Sequence, residues 1–145
     1  MILTSPDFKH NEKIPVKFTG DGENINPELI IENIPKEARS LALIVDDPDA
    51  PAGTWSHWVV FNINPKIKRI LKNSIPENGI QGQNSWGKNN YSGPLPPSGT
   101  HRYFFKIFAI DTKLGLNEGA SKQEIERVMK NHILDKAELI GLYSR

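Results

Sequence analysis

Two aspartates and two histidines are the residues of this chain whose types suit a chemical role. Asp47 and Asp49 lie in the segment Asp46-Asp-Pro-Asp-Ala-Pro51, and the histidines are His57 and His101. A carboxylate beside an imidazole favours the protonated imidazole, which donates hydrogen bonds from both ring nitrogens. Such a group binds anionic oxygens, and an aspartate can also accept from an amine or a hydroxyl. Together the four side chains suit a phosphate, or a zwitterion that carries both phosphate and amine.

Three apolar segments predict the strands that position these side chains. Residues 40–45 are apolar on both faces and predict a central strand. Residues 57–63 predict a second buried strand, with four side chains on one face: His57, Val59, Phe61 and Ile63. Residues 101–111 predict the longest strand, with one phase fully buried and the other mostly apolar. If the last two strands both run antiparallel to the central strand, the four polar residues meet at one end of the sheet.

A loop rich in proline and glycine leads into His101. Residues 87–103 contain three prolines and three glycines, among them Gly93 and Pro94. Proline restricts φ, and glycine permits close approach of the backbone to a ligand. Backbone N–H groups of such a loop add donors for an oxyanion. We expect this loop to cover the four polar residues, and we expect the long segment 73–100 to be folded rather than structureless.

Other interpretations of the four polar residues stay open at the level of sequence. The aspartates could cap turns, and each histidine could be a satisfied structural residue. Aspartate–histidine general acid–base hydrolysis is a further alternative. No histidine pair has the helical spacing of metal ligands, and no nucleophile elbow, P-loop or dinucleotide-binding glycine motif is present. We therefore expect neither a metal nor a cofactor.

Chain length, net charge and composition limit the kinds of partner and the cellular compartment that we expect for this protein. A chain of 145 residues fits a single domain, residues 1–145, with a hydrophobic core of its own. The net charge of +1 does not suggest a nucleic-acid or anionic-membrane partner. No apolar run is long enough to cross a bilayer, and no signal peptide is recognisable, so we expect no stable membrane insertion and a cytoplasmic location. There is no cysteine, which excludes disulfides and thiolate catalysis.

The remaining segments predict peripheral elements. Residues 15–19 and 28–34 predict short strands, and residues 66–72 predict a half-exposed strand or a short helical turn. Residues 119–133 predict the one clear helix, with Ser121 as N-cap and Glu124 completing a capping box. Its inward stripe is predicted to contain four residues: Ile125, Val128, Met129 and His132. Residues 137–143 predict a last strand.

Several short motifs, in this order and spacing, resemble the phosphatidylethanolamine-binding protein (PEBP) family, also called the Raf kinase inhibitor-like family. The central ones are Asp46-Asp-Pro-Asp-Ala-Pro51, His57-Trp58 and Gly93-Pro-x-Pro-Pro-x-Gly-x-His-Arg-Tyr103. Further matches are Ser5-Pro-Asp-Phe8, Phe18-Thr-Gly-Asp-Gly22, Gly82-x-Asn-x-x-Gly87 and Gly141-x-Tyr-x-Arg145. The chain is most similar to the short bacterial and archaeal branch of the family.

The resemblance implies a mainly β fold, with a large antiparallel sheet packed on a smaller one, Greek-key connections and one or two short helices. It also implies a small surface pocket for phosphate-type anions such as phosphorylethanolamine headgroups. By position, the ligand-binding residues would be Asp47, Asp49, His57, Gly93, His101 and Tyr103, with Pro51, Trp55 and Pro94 in the wall. The family often has a cis bond at the position of Ala50–Pro51, and a cis bond is expected here.

Two positions depart from the family pattern. Gly20 and Leu95 stand where many members have cysteine, and neither position is a pocket acid or base. The chain ends at Arg145 without the C-terminal helix that gates the pocket in eukaryotic members, so that form of regulation is not expected.

The expected function is non-catalytic binding of a small anion or a phospholipid headgroup of the phosphorylethanolamine type, with regulation as one role that such binding could serve. The alternatives are inhibition of a protease or kinase through protein contact, and a hydrolase that uses the same Asp and His residues. The short branch is similar to proteins that form homodimers, so a homodimer is expected.

Overall fold

Nine strands, one α-helix and a 3-10 turn make up the chain, and a computed structural model describes all 145 residues. The strands are β1 (Ile2–Thr4), β2 (Glu12–Lys13), β3 (Leu29–Glu32), β4 (Ser40–Asp47), β5 (Trp55–Ile63), β6 (Arg69–Ile70), β7 (Ile80–Gln81), β8 (Thr100–Ile110) and β9 (Ile133–Ser144). The helix α1 spans Lys122–Met129. The fold is mainly β, as the sequence predicts.

The larger sheet is built around β4. Its strand order is β2-β9-β8-β4-β5-β7, and every pairing is antiparallel except that of β2 with β9. All eight residues of β4 are buried, which explains why its sequence is apolar on both faces. The predicted antiparallel pairing of β4 with both β5 and β8 is confirmed. The first residues of these two neighbours therefore come to the end of the sheet where β4 finishes.

The two faces of the larger sheet are covered by different layers. The smaller sheet, of order β1-β3-β6, packs on one face, where Leu43, Val45 and Phe105 join its residues in the main core. Helix α1 packs on the other face, where Ala42 and Ile44 meet Ile125 in a second core. Successive side chains of β4 thus point to opposite faces of the sheet. Each side chain at the end of β4 therefore faces either the smaller sheet or the helix.

Helix α1 forms through local signals. The Ser121 side chain accepts from the backbone N–H of Glu124, and the Glu124 side chain accepts from the backbone N–H of Ser121, so the predicted capping box is confirmed. Ile125 and Met129 are buried against the sheet. His132 does not belong to this stripe, because the helix ends at Met129 and His132 is exposed, where its Nδ1 lies 2.7 Å from Asp111. No helix of the structure is long and apolar enough to cross a membrane.

One peripheral prediction is wrong, and another is confirmed in shortened form. Residues 15–19 do not form a strand but contain a 3-10 turn over Val16–Phe18, in which the Phe18 N–H donates to the Pro15 carbonyl at 3.0 Å. Pro15 has φ −57°, which starts this turn, and Phe18 is buried in the main core. Of residues 66–72, only Arg69–Ile70 pairs as a strand, in the smaller sheet.

Two β-bulges in β5 change which side chains share a face. Val45 pairs with Trp58 but Asp46 pairs with Ser56, so His57 is an extra residue on β5. A second irregularity lies around Asn62, which has φ 56°. Ile63 therefore packs in the main core while Val59 and Phe61 face the helix layer. The predicted common face of His57, Val59, Phe61 and Ile63 is wrong, because a strict alternation does not survive these bulges.

Candidate functional site

Asp47 and His101 form a buried pair at the end of the larger sheet. Asp47 is the last residue of β4 and His101 the second residue of β8, and the antiparallel pairing of these strands brings them together. Nδ1 of His101 lies 2.6 Å from Oδ2 of Asp47, and both residues are buried. A carboxylate at this distance favours an Nδ1–H donor and leaves Nε2 of His101 free for another partner.

His57 reaches the same place because of the bulge in β5. Its Nδ1 lies 2.6 Å from the carbonyl oxygen of Ser92, so Nδ1 carries a proton and Nε2 is free. Its ring stands edge-on to the ring of Tyr103, with 5.2 Å between centroids. Burial lowers the pKa of His57, against the opposing effect of the Ser92 carbonyl and of the more distant Asp47. The neutral imidazole, with Nε2 as an acceptor, is thus favoured for His57.

Tyr103 supplies the one buried side-chain polar atom of the structure that has no hydrogen-bond partner. Tyr103 is fully buried, and its hydroxyl is the unpaired atom. Burial, followed by the charge of Asp47, raises the pKa of Tyr103 against the opposing effect of the nearby Leu95 backbone N–H, so the hydroxyl keeps its proton, and that proton has no acceptor within the chain. It can therefore donate to an acceptor that enters the cavity.

These side chains line a cavity of about 360 Å³. Four polar residues, Asp47, His57, His101 and Tyr103, are joined by an apolar wall made of Ala50, Pro51, Ala52, Trp55, Trp86, Leu95, Pro96 and Pro97. Such a wall, with a few converging polar groups, is typical of a small-molecule site, and the volume lies in the usual range. Pro51 and Trp55 are wall residues that the sequence predicts.

Trp86 is a wall residue that the sequence pattern does not assign to the site. Its ring stands edge-on to His57 at 4.9 Å and to Trp55 at 5.5 Å. Trp86 is 40% exposed, and a large aromatic residue exposed in a polar loop is the signal that points to a binding role. Buried Asn84 folds this loop, because its Oδ1 accepts from the backbone N–H groups of Trp86 and Lys88 at 2.9 and 3.1 Å.

Known proteins resemble the chain over its whole length. The family model described as phosphatidylethanolamine-binding protein matches residues 4–144. The chain belongs to this family. A UPF0098 protein of Methanothermobacter thermautotrophicus is 48% identical over all of this chain and 99% of its own length. A UPF0098 protein of Aquifex aeolicus is 45% identical over all of this chain and 89% of its own.

Two solved structures of PEBP proteins share the fold. A PEBP homologue from Chlamydia trachomatis superposes with a TM-score of 0.95 at 38% identity, over 99% of this chain and 97% of the other. YbcL of Escherichia coli, described as a member of the mammalian PEBP family, superposes with a TM-score of 0.92 at 28% identity, again over 99% and 97%. The predicted family and its two-sheet fold are therefore confirmed.

Asp49 lies outside the cavity of this PEBP-family protein, although the family pattern assigns it to the ligand. Its Oδ2 accepts from the backbone N–H and Nε of Arg102, and its Oδ1 accepts from Nη2, each at 2.9 Å. The Arg102 guanidinium lowers the pKa of Asp49 to about 2. Because Arg102 points away from the phase of β8 that contains His101 and Tyr103, its partner Asp49 is drawn away from the cavity as well.

Gly93 and Pro94 also stand behind the cavity rather than in its lining. The Gly93 N–H donates to Oδ1 of Asn24 at 2.7 Å, and the Pro94 carbonyl accepts from the Gly20 N–H at 2.9 Å. A Cβ on Gly93 would lie 2.3 Å from the Phe18 carbonyl oxygen, so only glycine fits this close approach. Both residues attach the proline-rich loop to the turn after Phe18, which leaves Leu95, Pro96 and Pro97 to form the cavity wall.

The bond between Ala50 and Pro51 is trans, and the structure contains no cis peptide bond. The expected cis bond is therefore wrong for this member of the family. The chain reverses through a turn in which the Gly53 N–H donates to the Ala50 carbonyl at 3.1 Å. Pro51 occupies the second position of this turn, which a trans proline suits.

The two departures from the family pattern contact each other. A Cβ on Gly20 would lie 2.8 Å from Cδ1 of Leu95, so the leucine side chain fills the space that a side chain at position 20 would need. The lack of a side chain at Gly20 therefore leaves room for the larger side chain of Leu95, which lies in the cavity wall.

Proposed function

We propose that this protein binds a small phosphate-type anion, of the phosphorylethanolamine class, in the cavity formed by Asp47, His57, His101 and Tyr103. The observation that carries the proposal is the buried, unpaired hydroxyl of Tyr103. An unsatisfied buried polar group costs about 1–3 kcal/mol, so a ligand oxygen that accepts from it regains this free energy. The free Nε2 atoms of the two histidines line the same space.

The two histidines have different roles in this proposal. Oδ2 of Asp47 pairs with Nδ1 of His101, and Oδ1 of Asp47 accepts from the Asp49 backbone N–H at 2.8 Å, so the carboxylate orients His101 with its Nε2 available to the anion. His57 is buried and favours the neutral form, so its Nε2 accepts the proton of a singly protonated phosphate or takes up a proton as the anion binds. Asp49, which Arg102 engages, has no contact with the ligand.

The apolar wall supports an organic phosphate over free inorganic phosphate. Trp55, Trp86 and Pro51 offer surface to the carbon atoms of a headgroup, and the aromatic faces also attract an ammonium group. The cavity of about 360 Å³ has room for both parts of phosphorylethanolamine. The shared chemistry is a phosphate monoester or diester, from a lipid headgroup or from a soluble metabolite.

A titration of the imidazole NMR signals with phosphorylethanolamine, and separately with inorganic phosphate, tests the proposal. We expect saturable shifts for His57 and His101, tighter binding of the organic ligand, and a loss of affinity of at least about tenfold in His101→Ala. His132→Ala is the matched control, because His132 also pairs with an aspartate, at 2.7 Å from Asp111, but lies on the surface away from the cavity. Unshifted His57 and His101 signals, or equal binding by His101→Ala, would show that the cavity is not an anion site.

A hydrolase that uses the same cavity is a second candidate, favoured by one observation. The two imidazoles meet different surroundings, one buried beside a carbonyl and one beside a carboxylate, and such pairs can divide the roles of base and acid. No serine, threonine, cysteine or lysine lines the cavity, so the nucleophile would be water or one of the lining aspartate, histidine and tyrosine side chains. Turnover of a phosphoester panel that is lost in Asp47→Asn would favour this candidate over simple binding.

Inhibition of a protease or kinase remains a prediction of the sequence. It would act through an exposed loop, so the His101→Ala protein should still inhibit its target. The cytoplasmic location and the homodimer also stay predictions. We infer a binding protein rather than an enzyme, because the apolar wall suits retention of a ligand.

A further inference from the structure

A buried cluster of charges lies on the opposite face of the sheet from the cavity. Oδ2 of Asp46 accepts from Nζ of Lys106 and from Nζ of Lys122, both at 2.8 Å, and Asp46 is 2% exposed. Lys106 comes from β8 and Lys122 from the first position of α1. Burial raises the pKa of Asp46, but the hydrogen bonds and charges of the two lysines outweigh it and the pKa is lowered. Asp46 is therefore an ionised acceptor.

Ser56 connects this cluster to the cavity. Its Oγ donates to Oδ1 of Asp46 at 2.8 Å, within the buried interior. Its backbone N–H donates to Oγ of Ser85 at 2.8 Å, and its carbonyl accepts from the Ser85 N–H at 2.9 Å. Ser85 precedes Trp86, the wall residue that packs on His57. Ser56 is therefore hydrogen-bonded both to Asp46 on β4 and to Ser85 in the loop before Trp86.

The bond between Asp46 and Ser56 lies directly beside the β-bulge. Because Ser56 pairs with Asp46 and Trp58 pairs with Val45, His57 has no partner on β4. In regular alternation Ser56 would face the same side as Trp58, and His57 would face the helix layer. Ser56 instead faces Asp46 and the lysines, while His57 lies against Tyr103 and lines the cavity.

We propose that Asp46 and Ser56 are positioning residues, whose buried hydrogen bond selects the bulged register that directs His57 into the cavity and holds Trp86 against it. Neither residue touches the cavity. The two lysines strengthen the hydrogen bond between Ser56 and Asp46 because they favour the ionised carboxylate. An ionised acceptor forms a stronger hydrogen bond than a neutral one. The effect on ligand affinity rests on the proposed function, whereas the effect on the position of His57 does not.

The test compares Ser56→Ala with Ser56→Thr and Ser40→Ala. Ser56→Ala removes only Oγ and keeps both backbone bonds to Ser85. Ser56→Thr keeps the hydroxyl, and β-branched residues are favoured in strands. Ser40→Ala is the matched control, because Ser40 is a buried serine at the other end of β4 whose Oγ donates to the Thr112 carbonyl at 2.5 Å. Folding of each variant is checked by its unfolding transition.

The first measurement is made on the free protein. His57 lies 4.9 Å from the Trp86 ring and 5.2 Å from the Tyr103 ring, so its imidazole signals carry ring-current shifts and show contacts to both rings. We expect Ser56→Ala to weaken these contacts and move the signals toward unshifted values. Ser56→Thr and Ser40→Ala should keep them. Unchanged His57 signals in a folded Ser56→Ala protein would overturn the proposal, as would an equal change in Ser40→Ala.

The second measurement is the affinity for phosphorylethanolamine. We expect about tenfold weaker binding by Ser56→Ala, with recovery in Ser56→Thr and no change in Ser40→Ala. If the unaltered protein does not bind this probe or phosphate, the proposed function fails. The His57 signals of the free protein still test whether Ser56 positions His57. If the signals move and the affinity of Ser56→Ala does not, the role of Ser56 in the binding site is refuted.

Discussion

Asp46 and Asp47 are neighbours in sequence, both buried, and their environments are opposite. Asp46 faces the helix layer, where two lysines and a serine use its two oxygens. Asp47 faces the cavity, where its Oδ2 lies 2.6 Å from Nδ1 of His101 and its Oδ1 accepts from the Asp49 N–H, beside the Tyr103 hydroxyl, which has no partner. The first site is complete within the chain, whereas the second leaves donors and acceptors directed into a cavity.

This contrast separates groups that stabilise the fold from groups that can bind. A buried polar network whose members are all paired contributes to a unique arrangement, and removing one member leaves the others unsatisfied. An unpaired buried hydroxyl instead lowers stability until something binds to it. Substitutions on the Asp46 side should therefore act mainly on unfolding and change binding only through the position of His57, whereas substitutions on the Asp47 side should change binding directly.

The largest expected effect on stability is that of Asp46→Asn. The neutral amide leaves two partly buried lysines without a counter-charge, and breaking a buried charge pair in this way costs about 3 kcal/mol or more. Asp47→Asn should cost less, about 2 kcal/mol, because the amide oxygen can still accept from the Asp49 N–H and only the charged bond to His101 is lost, yet it should abolish binding of phosphorylethanolamine. Urea unfolding and calorimetric titration of both variants measure the two effects. Equal losses of stability would remove the distinction between the two faces.

Tyr103→Phe should separate binding from stability most clearly. The variant removes an unpaired hydroxyl, so the free energy of unfolding should stay the same or rise by up to about 1 kcal/mol, while binding weakens about tenfold. Tyr91→Phe is the control, since the Tyr91 hydroxyl donates to the Phe18 carbonyl at 2.6 Å and its loss should cost about 1 kcal/mol. A clear loss of stability in Tyr103→Phe would mean that the hydroxyl is already satisfied in the free protein.

The pH dependence of stability should report the burial of His57. Its folded-state pKa is lowered below the ordinary value of 6.5, so the unfolded chain takes up the proton first and stability falls as the pH drops below 6.5. Asp46 and Asp49, whose folded pKa values are lowered, keep their contributions until the pH approaches their ordinary value of 3.8. Unfolding free energies at pH 7.5 and at about pH 5 should therefore differ less in His57→Gln than in the unaltered protein. A difference of the same size in both would argue against a buried, neutral His57.

The smallest effect is expected for Asp49→Asn. The Arg102 pair is largely exposed to solvent, with side-chain exposures of 53% and 29%, so its loss should cost less than about 1 kcal/mol. This contribution is present above pH 3.8 and disappears as the pH falls through about 2. Phosphorylethanolamine should bind the variant as it binds the unaltered protein. A tenfold loss of affinity would show that Asp49 contributes to the binding site.

Much of the framework follows from local patterns. The continuous apolar run of β4 requires layers on both of its faces, and the capping box of α1 depends on residues three positions apart. The antiparallel meeting of β4, β5 and β8 follows from the order and length of their connections. These patterns are enough to bring Asp47, His57 and His101 to one end of the sheet.

The face on which each side chain lies is a different matter. Asp49 is drawn away from the cavity by Arg102, a residue 53 positions later. Trp86 joins the cavity because Asn84 folds its loop and Ser85 binds Ser56. Such contacts join distant parts of the chain, so a periodicity of two along one strand carries no information about them.

The sequence by itself determines the family, the central strands β4, β5 and β8, and the set of polar residues that gather at the end of β4, because composition and local spacing dictate where long buried strands can form. Only the tertiary structure decides that the Asp46 side chain faces the helix layer, that the Asp47 side chain faces the cavity, and that the His57 side chain lies on the same side of the sheet as Asp47. For His57 the physical reason is the bulge between Ser56 and Trp58, since a single extra residue reverses the alternation of side chains and its position depends on a hydrogen bond across two strands.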